Sequence, residues 1–289
     1  MNFRARAAVE DVRRYYDENT ARFVRFGDGR EIGAIHRAVR PEPGDPETDA
    51  LRTLDRLVLA ELTRVSERMT SPLQVLDLGC GVGSSLVYLA SERPIRATGV
   101  TLSGVQAARA RERVETLGLD DRVEILEGSY LELPASLPPA ALAFSIEAFI
   151  HGPDPAAFFA SAAAHVAPGG ALVICDDFLG AAGTAPLEPR DERFLRDVRE
   201  GWLANSLVTV PQALELAEAA GFRLERDLDL SARLELERPR DHAIALVVAL
   251  GRHLPIRGYW FRSLRGGHAL QQALKRKLLE FRCLVWRRS

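Results

Sequence analysis

A chain of 289 residues can bury one large core, and its length suits a single decorated α/β domain. Hydrophobic residues make up 47% and charged residues 27%, with both signs mixed, which excludes a disordered chain. The net charge of −2 gives no reason to expect a nucleic-acid partner.

The N-terminal part of the chain predicts a helix that could pack over the core. Residues 5–26 place apolar side chains, among them Tyr16, at near-helical spacing. Three prolines and a glycine in residues 41–46 indicate a linker, and a second helical stripe follows before Pro72. We expect an N-terminal helical lid (1–45), a core (46–230), and a helical cap insertion with the last strand (231–289).

From residue 74 onward, strand and helix patterns alternate. The predicted strands are 74–78, 96–100, 123–126, 141–146, 171–176, 222–230 and 281–286, and the predicted helices are 83–91, 103–117, 155–166 and 211–220. This succession predicts a doubly wound, mostly parallel seven-stranded sheet with helices on both faces. Two segments, 178–210 and 232–278, do not fit the alternation, and we expect them to cap the carboxyl edge of the sheet.

The cysteines and the hydropathy of the chain indicate in which cellular compartment it is expected. Cys80, Cys175 and Cys283 lie far apart, which indicates neither a disulfide framework nor a zinc site and fits a reduced cytoplasm. The longest apolar run, residues 243–250, is too short to cross a bilayer. We therefore expect a cytoplasmic protein with no metal and no membrane insertion, and the sequence leaves a homo-oligomer open.

A glycine turn follows the first core strand and predicts a nucleoside-binding site. Asp77 ends that strand, and Gly79, Gly81 and Gly83 let the backbone bend tightly against a ligand. The three glycines stand at alternate positions, which departs from the G-x-G-x-x-G spacing of a dinucleotide fingerprint, so NAD and FAD are disfavoured. The turn resembles the first motif of class I S-adenosylmethionine-dependent methyltransferases. The resemblance implies S-adenosyl-L-methionine as the cofactor, with Asp77 near its amino group.

The second strand narrows the resemblance to a subgroup. Gly99 to Gln106 reads Gly-Val-Thr-Leu-Ser-Gly-Val-Gln, which is similar to sterol, tocopherol and prenyl-diphosphate methyltransferases. The resemblance implies that Thr101 and Gln106 bind the ribose in place of the family's usual acidic residue. It also implies cofactor contacts at Leu102, Gly128, Ser129, Tyr130 and Ile146. Ser129 stands where the family usually has an Asp.

Glu147 and His151 follow the fourth strand, and they suggest the chemistry of the reaction. Glu147 resembles the acid of sterol C-methyltransferases, which implies methylation of an alkene carbon. The resulting carbocation would be stabilised by the carboxylate, which then removes a proton, and cyclisation could follow. His151 is a second base for this step. The alternative is O- or N-methylation of a phenolic or amino natural product with His151 as the base.

The substrate side of the predicted site rests on the lid and the cap. The segments around Tyr16 and His36 resemble the lid of isoprenoid-modifying members, and aromatic faces can stabilise a carbocation. The predicted substrate residues are Tyr16, His36, Phe149, Tyr259, Trp260 and Arg262. From Arg238 onward, twelve Lys and Arg stand against two Asp and Glu, so Arg262 could hold an anionic tail. A solvated Arg-rich surface is the favoured alternative. We expect a small-molecule isoprenoid or prenylated substrate, and a non-catalytic binding module is a third reading.

Overall fold

The computed structural model describes residues 3–27, 32–42, 49–69, 73–251 and 258–289. The strands are β1 Gln74–Leu78, β2 Arg96–Thr101, β3 Val123–Glu127, β4 Ala140–Ile146, β5 Val166–Leu179, β6 Phe222–Asp229 and β7 Leu279–Arg288. They form one seven-stranded sheet in the order β3-β2-β1-β4-β5-β7-β6. β1 to β5 pair in parallel, and β7 runs antiparallel to both β5 and β6. The predicted fold class is thereby confirmed.

Helices cover both faces of this sheet. They are α1 Phe3–Phe26, α2 Thr53–Ser66, α3 Ser84–Glu92, α4 Gly104–Thr116, α5 Pro155–His165, α6 Ala181–Thr184, α7 Pro189–Gly201, α8 Val210–Ala219, α9 Pro239–Gly251 and α10 Tyr259–Lys275. Neighbouring residues of β1 belong to two apolar clusters, Val75 to one and Leu76 to the other. The first cluster includes side chains of α2, α3 and α4, and the second includes those of α5 and α8. Because side chains alternate along a strand, one strand serves both layers.

The two predicted insertions meet at the carboxyl end of the sheet. The first, containing α6 and α7, begins where β5 ends at Leu179, and the second, containing α9 and α10, ends beside it where β7 begins. α7 packs tightly on α10, because a Cβ on Gly201 would lie 2.7 Å from the Gly266 backbone. The predicted linker at 41–46 and the boundary after residue 45 fall largely on residues 43–48, outside the described residues. The three-part division therefore stays a prediction.

Two further expectations concern charge and membranes. Several arginines of the basic C-terminal segment pair with acids elsewhere in the chain, in the ion pairs Arg262–Asp11, Arg276–Asp191, Arg282–Asp227 and Arg287–Glu61. These arginines therefore serve the packing of the cap and of β7. In the described part of the chain, no helix combines the length and the hydropathy needed to cross a membrane.

Candidate functional site

A cavity lies at the carboxyl ends of β1, β2 and β4, beneath α1. It brings together most of the predicted site residues: Tyr16, His36, Asp77, Gly79, Gly81, Thr101, Leu102, Gln106, Gly128, Ser129, Tyr130, Ile146, Glu147 and His151. Ligands of open parallel sheets bind at this edge, because the strands end there and the loops that follow are free to form a crevice. The topology thus accounts for the meeting of the residues at the ends of β1 to β4, and α1 and the segment that follows it add Tyr16 and His36.

The glycine turn forms one wall of the cavity. Gly79 and Gly81 have φ of 117° and 53°, in the region that side chains avoid. A Cβ on Gly79 would clash with the Ala148 Cβ, and one on Gly81 would lie 2.9 Å from Ile35. The turn is therefore a cradle that any larger residue would fill. Gly83 was predicted with Gly79 and Gly81 to contact the cofactor, but it caps the N-terminus of α3 and does not line the cavity.

Two buried polar side chains of the cavity, those of Gln106 and Asp77, are placed to contact a ligand. The Thr101 hydroxyl donates to Gln106 Oε1 at 2.7 Å, while the buried Gln106 Nε2 has no hydrogen-bond partner. Asp77 is buried, and burial, with Asp55 nearby, raises the pKa of its carboxyl well above the usual range. Unpartnered buried groups are costly, so both positions suit a polar ligand, with Gln106 as donor and Asp77 as acceptor.

The segment after β3 contributes backbone and one aromatic ring. Ser129 Oγ accepts a hydrogen bond from the Leu131 amide at 3.2 Å, which closes a turn. The Tyr130 hydroxyl donates to the Ala148 carbonyl at 3.1 Å, so this side chain supports the loop that follows β4. Tyr130 therefore lines the cavity as a wall, with its polar end already engaged.

Glu147 is fixed by a buried ion cluster. Its φ of 50° is left-handed, a conformation that costs a non-glycine residue roughly 1–2 kcal/mol. Its Oε1 accepts from the Arg37 amide at 2.9 Å and from Arg37 Nε at 3.1 Å. The same guanidinium donates twice to Asp177, at 3.2 and 2.7 Å. Burial would lower the pKa of Arg37, but Asp177 and Glu147 raise it beyond its ordinary value, so Arg37 is charged.

His151 is held as a neutral imidazole. Its Nδ1 lies 3.2 Å from the Leu203 carbonyl, which can only accept, so Nδ1 carries the proton. Its Nε2 then accepts from the Tyr16 hydroxyl at 2.7 Å. Burial lowers the pKa of His151 to about 4, although the Leu203 carbonyl and Glu147 act in the opposite direction. The ring therefore presents an unprotonated nitrogen to a hydroxyl inside the cavity.

Four predicted substrate residues are not brought to the cavity. Phe149 is fully buried in the core, where its ring packs on Phe158 with centroids 4.9 Å apart. Tyr259 and Arg262 both bond Asp11 on the outer side of α1, and Trp260 is 44% exposed. The expectation that Arg262 could hold an anionic tail is therefore corrected, since its guanidinium already has a carboxylate partner.

His36 reaches the cavity, and two residues were missed, one that lines the cavity and one that lies beside it. The His36 Nδ1 lies 3.3 Å from the Arg37 carbonyl, and its Nε2 lies 3.8 Å from Asp55 Oδ1. Trp202 lines the cavity from the end of α7 and packs edge-on against Tyr15. Arg37 had no assigned role, although a basic residue beside His36 and acids at two strand ends were signals for an ion pair.

Comparisons with known proteins agree with this geometry. Residues 75–170 match the family described as a methyltransferase domain. The chain is 32% identical over 82% of its length to the methyltransferase GfsG of Streptomyces halstedii, covering 81% of that relative. It is 28% identical over 59% of its length to 24-methylenesterol C-methyltransferase 2 of Oryza sativa subsp. japonica. That match spans about half of the rice protein, 49%.

Among solved structures, a geranyl diphosphate C-methyltransferase from Streptomyces coelicolor A3(2) superposes with a TM-score of 0.70. The identity is 16%, and the superposition covers 98% of each chain. At this identity the likeness shows the fold. The sheet order of this chain and the position of its glycine turn agree with the expectation drawn from the residues around Asp77.

Proposed function

Since the chain belongs to the class I S-adenosylmethionine-dependent methyltransferases, we propose that it methylates an alkene carbon of an uncharged prenyl or terpenoid small molecule. The observation that carries the proposal is the Glu147 cluster. Two carboxylates, Glu147 and Asp177, share one guanidinium, and with all three groups ionised they carry one net negative charge. Glu147 presents this charge to the cavity.

The residues of the cavity fit the cofactor. Gln106 would donate to a ribose hydroxyl through its unpartnered Nε2, and Asp77 would face the amino group of the methionyl part. The glycine cradle at Gly79 and Gly81 would lie against the same part of the molecule. Bound there, S-adenosylmethionine supplies an electrophilic methyl group.

The charge of the cluster suits a reaction that creates a cation. An alkene that takes up a methyl group becomes a carbocation, which a fixed carboxylate stabilises strongly in a site that excludes water. Aromatic faces, here Tyr16 and Trp202, add to this stabilisation. Neutral His151 can then accept the proton that restores an alkene. The side chains that line the cavity in the described ranges include no Lys or Arg, which favours an uncharged substrate over a diphosphate.

The test follows a labelled methyl group. The protein is incubated with methyl-labelled S-adenosylmethionine and a panel of geraniol, geranyl diphosphate and a prenylated phenol, and products are analysed by mass spectrometry and NMR. We expect a new carbon–carbon bond on an uncharged acceptor. Glu147→Gln should keep cofactor affinity and lower kcat at least 100-fold. The matched control is Glu215→Gln, at an exposed position of α8, which should leave kcat unchanged. Wild-type turnover by Glu147→Gln would refute the assigned role.

One observation favours a second reaction, methylation of a hydroxyl group. The Tyr16 hydroxyl already donates to His151 Nε2, so a substrate hydroxyl could take the same position and lose its proton to the ring. In that reaction His151→Asn should abolish turnover while Glu147→Gln retains most of it. A methoxy product distinguishes this outcome from carbon methylation in the same NMR spectrum.

A further inference from the structure

Arg37 joins the segment that covers the cavity to the ends of two core strands. It lies between α1 and α2, next to His36 and Ile35, which both line the cavity. Its guanidinium is partly buried, makes one hydrogen bond to Glu147 and two to Asp177, and stacks 4.3 Å from the Phe281 ring centre. With its backbone amide, Arg37 makes four hydrogen bonds to two carboxylates.

These contacts restrict Glu147 in particular. Two donors of one residue, the Arg37 amide and Nε, meet the same oxygen, Oε1. A carboxylate on a left-handed residue needs such support, because an unfavourable backbone conformation persists only where its surroundings determine it. The second pair of bonds, to Asp177 on β5, prevents the guanidinium from turning away.

We propose that Arg37 is a positioning residue that fixes the Glu147 carboxylate in the cavity and fastens residues 35–37 over it. This inference rests on the proposed function only where it concerns turnover. A planar, bidentate donor is required, so lysine cannot replace it fully. Loss of Arg37 leaves Glu147 free to rotate, and a displacement of about 1 Å in a reacting group can lower a rate by about 100-fold.

Turnover is tested by a double-mutant cycle with the acceptor that the panel shows to be methylated fastest. Arg37→Gln should lower kcat about 100-fold, and Arg37→Lys should recover part of that loss. In the Glu147→Gln background, Arg37→Gln should lower kcat less than threefold further, because its effect passes through Glu147. The matched control is Arg282→Gln, which removes a paired bond to Asp227 outside the cavity and should leave kcat unchanged.

Hydrogen exchange at the Arg37 amide, followed by NMR, tests the contact without any acceptor. Arg37→Gln and Glu147→Ala should each speed exchange of the amide at position 37 at least tenfold. In the double variant the exchange rate should be close to that of either single variant. Arg282→Gln should leave the rate unchanged. Unchanged exchange in Arg37→Gln, or losses of kcat that multiply in the cycle, would overturn the proposal. If no acceptor is methylated, the proposed function fails while the exchange result still decides the role of Arg37.

Discussion

The neutral state of His151 leads to a prediction about stability and pH. The pKa of this buried ring is lowered from 6.5 to about 4 in the folded protein. Below pH 6.5 the unfolded chain therefore binds a proton that the folded protein does not bind. Stability is lost as the pH falls from about 6.5 toward 4, and no such loss occurs above pH 7.

The size of this effect follows from the shift. Each pH unit between the two pKa values costs about 1.4 kcal/mol, so His151 lowers the free energy of unfolding by about 2 kcal/mol between pH 7 and pH 5. His151→Asn keeps a donor for the Leu203 carbonyl but cannot titrate. The variant should be less stable than the wild type at pH 7, because it leaves the Tyr16 hydroxyl without its acceptor. That deficit should shrink by about 2 kcal/mol at pH 5.

Urea denaturation of both proteins at pH 7 and pH 5 measures the two deficits. Other buried acids, such as Asp77 and Asp176, titrate in both proteins, so the difference isolates the imidazole. The same substitution at exposed His242 controls for the general effect of losing an imidazole. Equal deficits at the two pH values would refute the neutral, buried state and with it the role of His151 as a ready base.

Three further predictions concern the cradle and the core. Gln106→Leu removes the unpartnered Nε2 and should weaken S-adenosylmethionine about tenfold by calorimetry, the value of one hydrogen bond. Gly79→Ala should abolish that binding, because the added Cβ would clash with Ala148. The control is Gly169→Ala: Gly169 also has a positive φ, but an added Cβ would have no atom within 4 Å, so this variant should bind S-adenosylmethionine normally. Phe149→Ala should cost about 3–5 kcal/mol of stability in urea, the cost of a core aromatic, which would confirm that Phe149 is a packing residue.

The fold was predictable because its signals are local. Strands β1 and β4 are short, largely apolar runs, and the turn from Asp77 to Gly83 shows in consecutive residues why a ligand can approach. Phe149 shows where local reasoning fails. It follows Glu147 by two residues, but the 3-10 turn Phe149–His151 directs its ring into the aromatic core and leaves His151 facing the cavity.

The partners in ion pairs between distant residues could not be assigned from the sequence. Arg37 is separated from Glu147 by 110 residues, and Arg262 from Asp11 by 251. A charge pattern shows that cations are present without showing which carboxylate each one meets. For this reason the basic C-terminal segment suggested an anion site, whereas the folded chain uses its arginines in pairs.

The contacts of Glu147 and His151 favour a different task for each residue. Glu147 was expected both to stabilise a cation and to remove its proton, yet its Oε1 already accepts two hydrogen bonds from a charged arginine. These bonds occupy the lone pairs of Oε1 that would otherwise accept a proton. His151 has no charged partner on Nε2, and its neutral ring can take up a proton through the Tyr16 hydroxyl, which accepts a proton from the cavity as it passes its own to Nε2. Stabilisation of a cation therefore belongs to Glu147 in our proposal, and acceptance of the proton belongs to His151.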